Sequence, residues 1–333
     1  MSNNELLEKV IRTTELGADD GGLLNAEQAN TFIDYMWDAT SLVKTARTVR
    51  MRSDTRDIDK VSVGSKLLRL ATEAVDDGVN ATPSFTKISL TTKKLRLDWE
   101  LSSESLEDGI EGTSLEDHIA RLMATQAGND IEDLAINGDT SLTSDPLYKA
   151  FDGWRKKALD GGRVVAGGSA QISKATYNSA LKALPRMYKS RRNNLRFYTG
   201  SNLVQDYMYN LTTLGSNATA PEDIASGILR GNVAGPSGAG GGAYPFAFGI
   251  PIFEVPLFKE DLTVSASLGT GNHGYVELTF PDNRIIGVKR EIQVFREFKP
   301  KKDSIEFTMY TRVGVEIENL DAMCVVKDVK VQS

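Results

Sequence analysis

The chain has 333 residues, 40% of them hydrophobic and 25% charged, and a net charge of −6. That length suits one large or two modest domains, and the composition is that of an ordinary folded protein. The acidic balance argues against a dedicated nucleic-acid binder, which would have to neutralise phosphates, and no apolar run approaches the ~20 residues of a membrane span.

The N-terminus, MSNNELLEKVIRTTELGADD, lacks the basic and apolar regions of a signal peptide. Residues 1–30 carry six acidic and two basic side chains, and Gly17, Gly21 and Gly22 interrupt their weak helical pattern. They read as an extended arm. Residues 25–46 predict a helix, with Asn25 as cap, Gln28 three positions on, and a stripe of Ala29, Phe32, Ile33, Met36 and Trp37.

From 48 to 101 the chain alternates in short stretches, first Val61 and Val63, then Leu68 and Leu70. An acidic break, Thr72 to Gly78, holds Glu73, Asp76 and Asp77. A second strand is predicted through Phe85, Ile88, Leu90, Leu95, Leu97 and Trp99. Two strands joined by a polar tip have little core of their own, so such a hairpin must lie on something else. Lys44, Arg47, Arg50, Arg52, Arg56, Lys60, Lys66 and Arg69 outnumber Asp54, Asp57 and Asp59 here. Three readings of that charge stay open: a solvated face, contact with acidic surface on neighbouring subunits, or nucleic acid, which the near absence of aromatics for stacking disfavours. Arg50, Arg52, Arg56, Lys60, Lys66, Glu73, Asp76 and Asp77 are the candidate interface residues.

Ser103 to Asp108 reads as a short acidic helix. Thr113 and Ser114, with Glu116 and Asp117, then open a long one. Its stripe runs through Leu115, Ile119, Leu122, Met123, Gln126, Ala127, Ile131, Leu134 and Ala135, for a length of ~35 Å. Asn137-Gly138 ends it with residue types that tolerate left-handed geometry. Residues 150–172 read as glycine-rich and irregular, and Ser173 caps a helix carrying Tyr177, Ala180, Leu181 and Leu184 that Pro185 closes. A strand from Leu195 to Tyr198 and a helix from Ser201 to Leu211 follow.

Residues 231–243, GNVAGPSGAGGGA, read as a loop, because no Gly-Lys-Ser/Thr follows the glycines and no dinucleotide fingerprint is present. Near the C-terminus, Ile305, Phe307, Met309, Val313, Val315 and Ile317 alternate with polar residues, which predicts a long strand with one buried face. Arg290 to Phe298 alternates more weakly, residues 299–303 form a turn, and Ala322 to Val326 predicts a terminal strand.

Chemistry is sparse. His118 and His273 are the only histidines and stand in no metal-ligand pattern; no Gly-x-Ser-x-Gly elbow occurs. Glu104, Glu107, Asp108 and Glu111 read as solvated carboxylates. The single cysteine, Cys324, excludes an intrachain disulfide and reads as a buried inert thiol, with reducing cytoplasm the default place of synthesis. No catalytic residue, cofactor or metal site is expected.

The order of these elements resembles the Hong Kong 97-like fold of tailed-phage major capsid proteins. The resemblance rests on Leu90 to Lys94 with Trp99, the Ser103-to-Asp108 helix, and the long helix closed by Leu134, Asn137, Gly138 and Asp139. It extends to Leu184, Pro185 and Tyr188 and to Gly249-Ile250-Pro251, and covers about residues 25–330. It implies an α+β fold with an N-terminal arm (1–47), an extended β-hairpin loop (48–100), a peripheral domain with a long spine helix (101–150), an axial α/β domain (151–270) and the return strands of the peripheral sheet (271–333). It further implies a shell protein that assembles with itself into hexamers and pentamers of an icosahedral phage head. Expected partners are portal and scaffolding proteins, a decoration protein as an option, and packaged double-stranded DNA held by non-specific contact, with no membrane. The location implied is the virion capsid, assembled in the host cytoplasm. Since the arm starts almost at Met1, scaffolding is expected from a separate protein or not at all. Where relatives form a lysine–asparagine cross-link aided by a carboxylate, this chain has Pro83, Asp303 and Tyr310, so covalent cross-linking is not expected. The rival readings are an encapsulin-like bacterial compartment shell, which shares the fold, and a two-domain enzyme with a glycine-rich lid.

Overall fold

The structure is a computed structural model that describes residues 42–62, 84–102, 114–142, 145–214, 245–262, 271–289 and 293–332. A one-turn helix α1 (Leu42–Thr45) leads into β1 (Arg47–Met51), β2 (Thr55–Ser62), β3 (Ser84–Thr91) and β4 (Lys93–Ser102). The long helix α2 (Ser114–Asn137) follows, then α3 (Trp154–Gly161), β5 (Arg163–Ala166), α4 (Lys174–Ala183), α5 (Arg186–Lys189), β6 (Arg196–Thr199) and α6 (Ser201–Leu214). The chain ends with β7 (Phe246–Ala247), β8 (Ile250–Glu254), β9 (His273–Thr279), β10 (Arg284–Lys289), β11 (Gln293–Lys299), β12 (Ser304–Ile317) and β13 (Cys324–Lys330).

Two sheets and one ribbon result. The first sheet runs β1-β10-β12-β11, with β4 also paired to β12; the second runs β5-β13-β9-β6-β8-β7; β2 and β3 pair only with each other. Strand β12 organises the first sheet because its period-two pattern is continuous. Phe307, Met309, Val313, Val315 and Ile317 are all buried, while Glu306, Thr308, Tyr310, Arg312 and Glu316 are half-buried on the other face. Phe307 lies opposite Trp99 of β4, their rings stacked with centroids 5.1 Å apart. Ala124, Ala127, Ile131, Leu134 and Ala135 of α2 belong to the same core. Leu42 and Val43 join it, and the Leu42 N–H donates to the buried Glu132 carboxylate at 2.7 Å.

The second sheet buries its other face under α4 and α6, with Tyr177 edge-on to both Phe197 and Tyr207. The start of α4 is tied as expected, the Ser173 N–H donating to Thr176 Oγ1 at 3.2 Å. Between the two sheets lies a buried ion pair, Arg284 of β10 with Glu277 of β9, each almost wholly excluded from solvent. The guanidinium also sits over the Tyr198 ring, 4.1 Å from its centroid. Removing one partner of such a pair strands the other charge and costs about 3–5 kcal/mol.

Several expectations change. The strand predicted through Phe85 to Trp99 breaks at Thr92, a buried residue whose N–H donates to the Asp54 carbonyl at 2.8 Å. Thus β3 belongs to the ribbon and β4 to the first sheet. Residues 150–172 are not irregular: Trp154, fully buried, anchors α3, and β5 pairs in parallel with β13. The terminal strand β13 and β9 lie in the second sheet instead of returning to the first. In α2, Leu122 is 56% exposed and Gln126 is exposed, whereas Ala124 is buried, so the inward stripe is narrower than the pattern implies. Gly138 is not left-handed; glycine is required because a Cβ there would overlap the carbonyls of Phe151 and Leu134. The helix at 25–41, the acidic helix at 103–108 and the loop at 231–243 lie outside the described residues.

The register of β12 makes a direct test. Val315→Asp places an unpaired charge on the buried face, at a cost of several kcal/mol, comparable to a domain's whole stability, and should yield insoluble protein. Thr308→Lys, on the opposite face and across from Asp98, should remain soluble. Soluble fractions after expression compare the two. Glu316 is the wrong control, because its carboxylate is engaged by Lys157.

Candidate functional site

The ribbon is the part of the molecule that its own core does not explain. Its register, Thr55↔Thr91 through Ser62↔Ser84, sorts side chains strictly by face. Arg56, Ile58, Lys60, Ile88 and Leu90 share one face; Asp57, Asp59, Val61, Phe85 and Lys87 share the other. One face is therefore basic and aliphatic, and the other carries two aspartates. Asp57 is partly neutralised by Lys87 at 3.9 Å and accepts from Ser89 Oγ at 2.7 Å. Toward the tip, Val61 and Phe85 stand opposite each other, 57% and 71% exposed. An apolar pair so open to water is expensive to leave uncovered.

The root is built differently. Leu90 is fully buried and packs with Met51 and Ile285. Beneath it, Gly287 of β10 and Gly314 of β12 are cross-strand partners. A Cβ on Gly287 would meet Leu90 and Met51 at 2.7 Å, and one on Gly314 would overlap the Thr91 carbonyl. Two glycines thus form a notch across which the ribbon leaves the sheet. Asp54 clamps it: its carboxylate accepts from Lys289 Nζ at 2.7 Å and from Arg312, each two residues from a notch glycine. Its carbonyl accepts from the Thr92 N–H and hydroxyl. Lys289 first, then Arg312, holds the Asp54 carboxyl below the usual 3.8.

Of the predicted interface residues, the structure brings Arg56 and Lys60 onto one ribbon face, while Arg50 and Arg52 sit at the root, where the Arg50 carbonyl accepts from Arg56 Nη1 at 3.0 Å. Lys66, Glu73, Asp76 and Asp77 lie outside the described residues. Sequence reasoning missed Asp54, Thr92, Gly287 and Gly314, the residues that set the ribbon's exit. Only the Gly287 and Gly314 interruptions of two apolar strands signalled them.

No profile of a known protein family matches the chain. Over 332 residues it is 27% identical to the "Putative prophage capsid protein YqbE" of Bacillus subtilis (strain 168), spanning 99% of this chain and 100% of that one. Its structure is similar to a chain of the satellite phage P4 procapsid that includes the size determination (Sid) protein, with a TM-score of 0.61 at 15% identity, covering 100% and 99% of the two chains. The capsid of an empty GTA particle gives 0.58 at 17% identity, covering 87% and 90%. The chain has the Hong Kong 97-like fold of tailed-phage major capsid proteins. The holo-SrpI encapsulin of Synechococcus elongatus PCC 7942 also has this fold, at a TM-score of 0.57 and 9% identity, covering 88% of each chain.

Within this capsid fold the remaining chemical groups have structural partners. His273 is buried with its ring nitrogens 2.9 Å from the Gly271 carbonyl and from Ser169 Oγ, whereas His118 is exposed on α2. Cys324 is fully buried, and burial pushes its thiol up to about 12, which removes it from thiolate chemistry. Of the positions compared for cross-linking, Pro83 lies outside the described residues, Asp303 occupies the β11–β12 turn, and Tyr310 carries Lys94 Nζ over its ring at 3.8 Å.

The root yields two predictions. Because the Asp54 carboxyl ionises more readily in the folded root than in an unfolded chain, its contribution is present above the ordinary aspartate range and is lost as pH falls through its lowered pKa. Asp54→Asn should lower the thermal midpoint at pH 7, and the difference from the unsubstituted protein should vanish below about pH 3. A difference independent of pH would show that the ion pairs contribute nothing. Gly314→Ala should cost about 1–3 kcal/mol in urea denaturation, because the backbone at Thr91 must move.

Proposed function

We propose that the chain is a major capsid protein that assembles with itself, through hexamers and pentamers, into an icosahedral phage head enclosing double-stranded DNA. The ribbon carries this reading: an exposed Val61–Phe85 pair and a basic face require a covering surface that the described chain does not supply. Similarity to a prophage capsid protein along the whole length supports a phage head over a bacterial compartment, although the encapsulin likeness keeps the latter as the second reading. The role is structural, without catalysis. The first sheet with α2 would serve as the peripheral domain and the second sheet with α4 and α6 as the axial domain, with residues 1–41 as an arm. Portal and scaffolding proteins, with a decoration protein as an option, would be its partners, and packaged DNA would touch it non-specifically. Assembly would take place in the host cytoplasm, and the mature location would be the virion.

Expressed with its phage neighbours, the protein should sediment as closed shells visible by electron microscopy. Replacing residues 62–82 with a short glycine linker should leave a folded monomer, with an unchanged thermal midpoint, that closes no shells. Normal shells from the shortened protein, or monomers alone from the full chain, would contradict the reading. Co-purification of a cargo enzyme in place of DNA would favour the compartment.

A further inference from the structure

A groove of about 400 Å³ opens where the last turn of α2, the loop after β8 and the start of α6 converge. Asp133, Glu260 and Asp261 line it against a single cation, Lys259, whose ammonium is held over the Tyr148 ring at 4.4 Å. Two of the carboxylates are already fixed. Asp133 accepts from Asn137 Nδ2 at 2.7 Å and from the Tyr148 hydroxyl; Glu260 accepts from the Asn202 and Leu203 N–H groups at the start of α6. Asp261 is exposed and has no ion-pair partner among the described residues.

The decisive atom is Asn137 Oδ1. Asn137 is 1% exposed and lines the groove; its Nδ2 also donates to the Leu257 carbonyl at 2.9 Å, and yet its Oδ1 is buried with no donor. A buried acceptor without a donor costs on the order of 1–3 kcal/mol, so the site is complete only when an N–H group enters it. Net negative charge around that acceptor selects a cationic donor, an ammonium or guanidinium. Residues 263–270, TVSASLGT, which leave the groove at Asp261, contain no cation.

The same chain carries the complementary object. Arg56 and Lys60 stand on one ribbon face about 13 Å apart, and the Lys60 ammonium has no partner among the described residues. Resting on the capsid reading above, we propose that this groove receives the ribbon of a second copy, Lys60 donating to Asn137 Oδ1 between the Asp133 and Asp261 carboxylates. Arg56 then lies at the rim. Every copy presents both a ribbon and a groove, so the contact is head-to-tail and closes into rings.

The buried Cys324 is a silent background for cysteine chemistry. In assembled Lys60→Cys/Asp261→Cys protein, a short bismaleimide should give a ladder of covalent multimers that neither single variant gives. Separately, Asp261→Lys should lower shell yield about tenfold or more, and adding Lys60→Glu to the same chain should restore it. Circular dichroism checks that the variants fold. Shells that form without the ladder, or that tolerate Asp261→Lys, overturn the groove as receptor while leaving the capsid reading intact. Unsubstituted protein that forms no shells overturns the capsid reading itself.

Discussion

A two-stranded ribbon has no interior, and that constraint governs how the rest of the molecule must be arranged. Hydrogen bonds between β2 and β3 satisfy one edge of each strand, but neither face is covered by a second layer. Only at the root, where Leu90 meets Met51 and Ile285, does the ribbon own any buried surface. Its direction is therefore decided in a few residues. Gly287 and Gly314 let it approach the sheet, and Asp54 binds both notch strands. Exposed ion pairs of this kind are individually weak and screened by salt. Two on one carboxylate, backed by a buried Thr92, define an exit angle more than they add stability.

Such a lever works only on a rigid base. The base consists of two sheets that could in principle move against each other, since each has its own apolar cluster. The turn from β9 to β10 forbids this. Glu277 and Arg284 are drawn from different sheets and neither can leave the other without a large electrostatic cost. Asn283, between them, donates to Thr279 Oγ1 and the Asn319 carbonyl and accepts from the Asn319 N–H, which pins the crossing loop. Rotation of one sheet would break all of these together. The relation between ribbon and groove is thereby held constant from copy to copy, as repeated contacts in a closed assembly require.

What the sequence made legible follows from where the controlling physics is local. Period two along β12 and the cap at Ser173 depend on neighbouring residues, and both read correctly. The long helix ends at Asn137 as expected, but the reason lies with Phe151, which no local pattern reveals. The break at Thr92 escaped notice because Thr91 and Thr92 are good strand formers; a carbonyl at Asp54, 38 residues earlier, creates it. Likewise β5 is four residues beside two glycines and exists because β13 offers a parallel edge. The basic bias near residue 50 was visible, but its sorting onto one ribbon face needed the register. The groove was invisible, since its polar residues come from four separated segments.

Charge sorting on the ribbon has a consequence for specificity. Strand β2 places Arg56 and Lys60 on alternate positions from Asp57 and Asp59, so a slip of one residue against β3 would exchange the basic face for the acidic one. Leu90 prevents that slip, because the exchange would also lift the one fully buried ribbon side chain out of its socket against Met51 and Ile285. A hydrophobic anchor at the root thus sets the electrostatic sign of the face presented some distance away. Complementary charge then selects partner and register more than it adds affinity, while the exposed Val61 and Phe85 supply the area that association buries. Division of labour between anchor, charge and apolar tip explains why so exposed an element carries so regular a pattern.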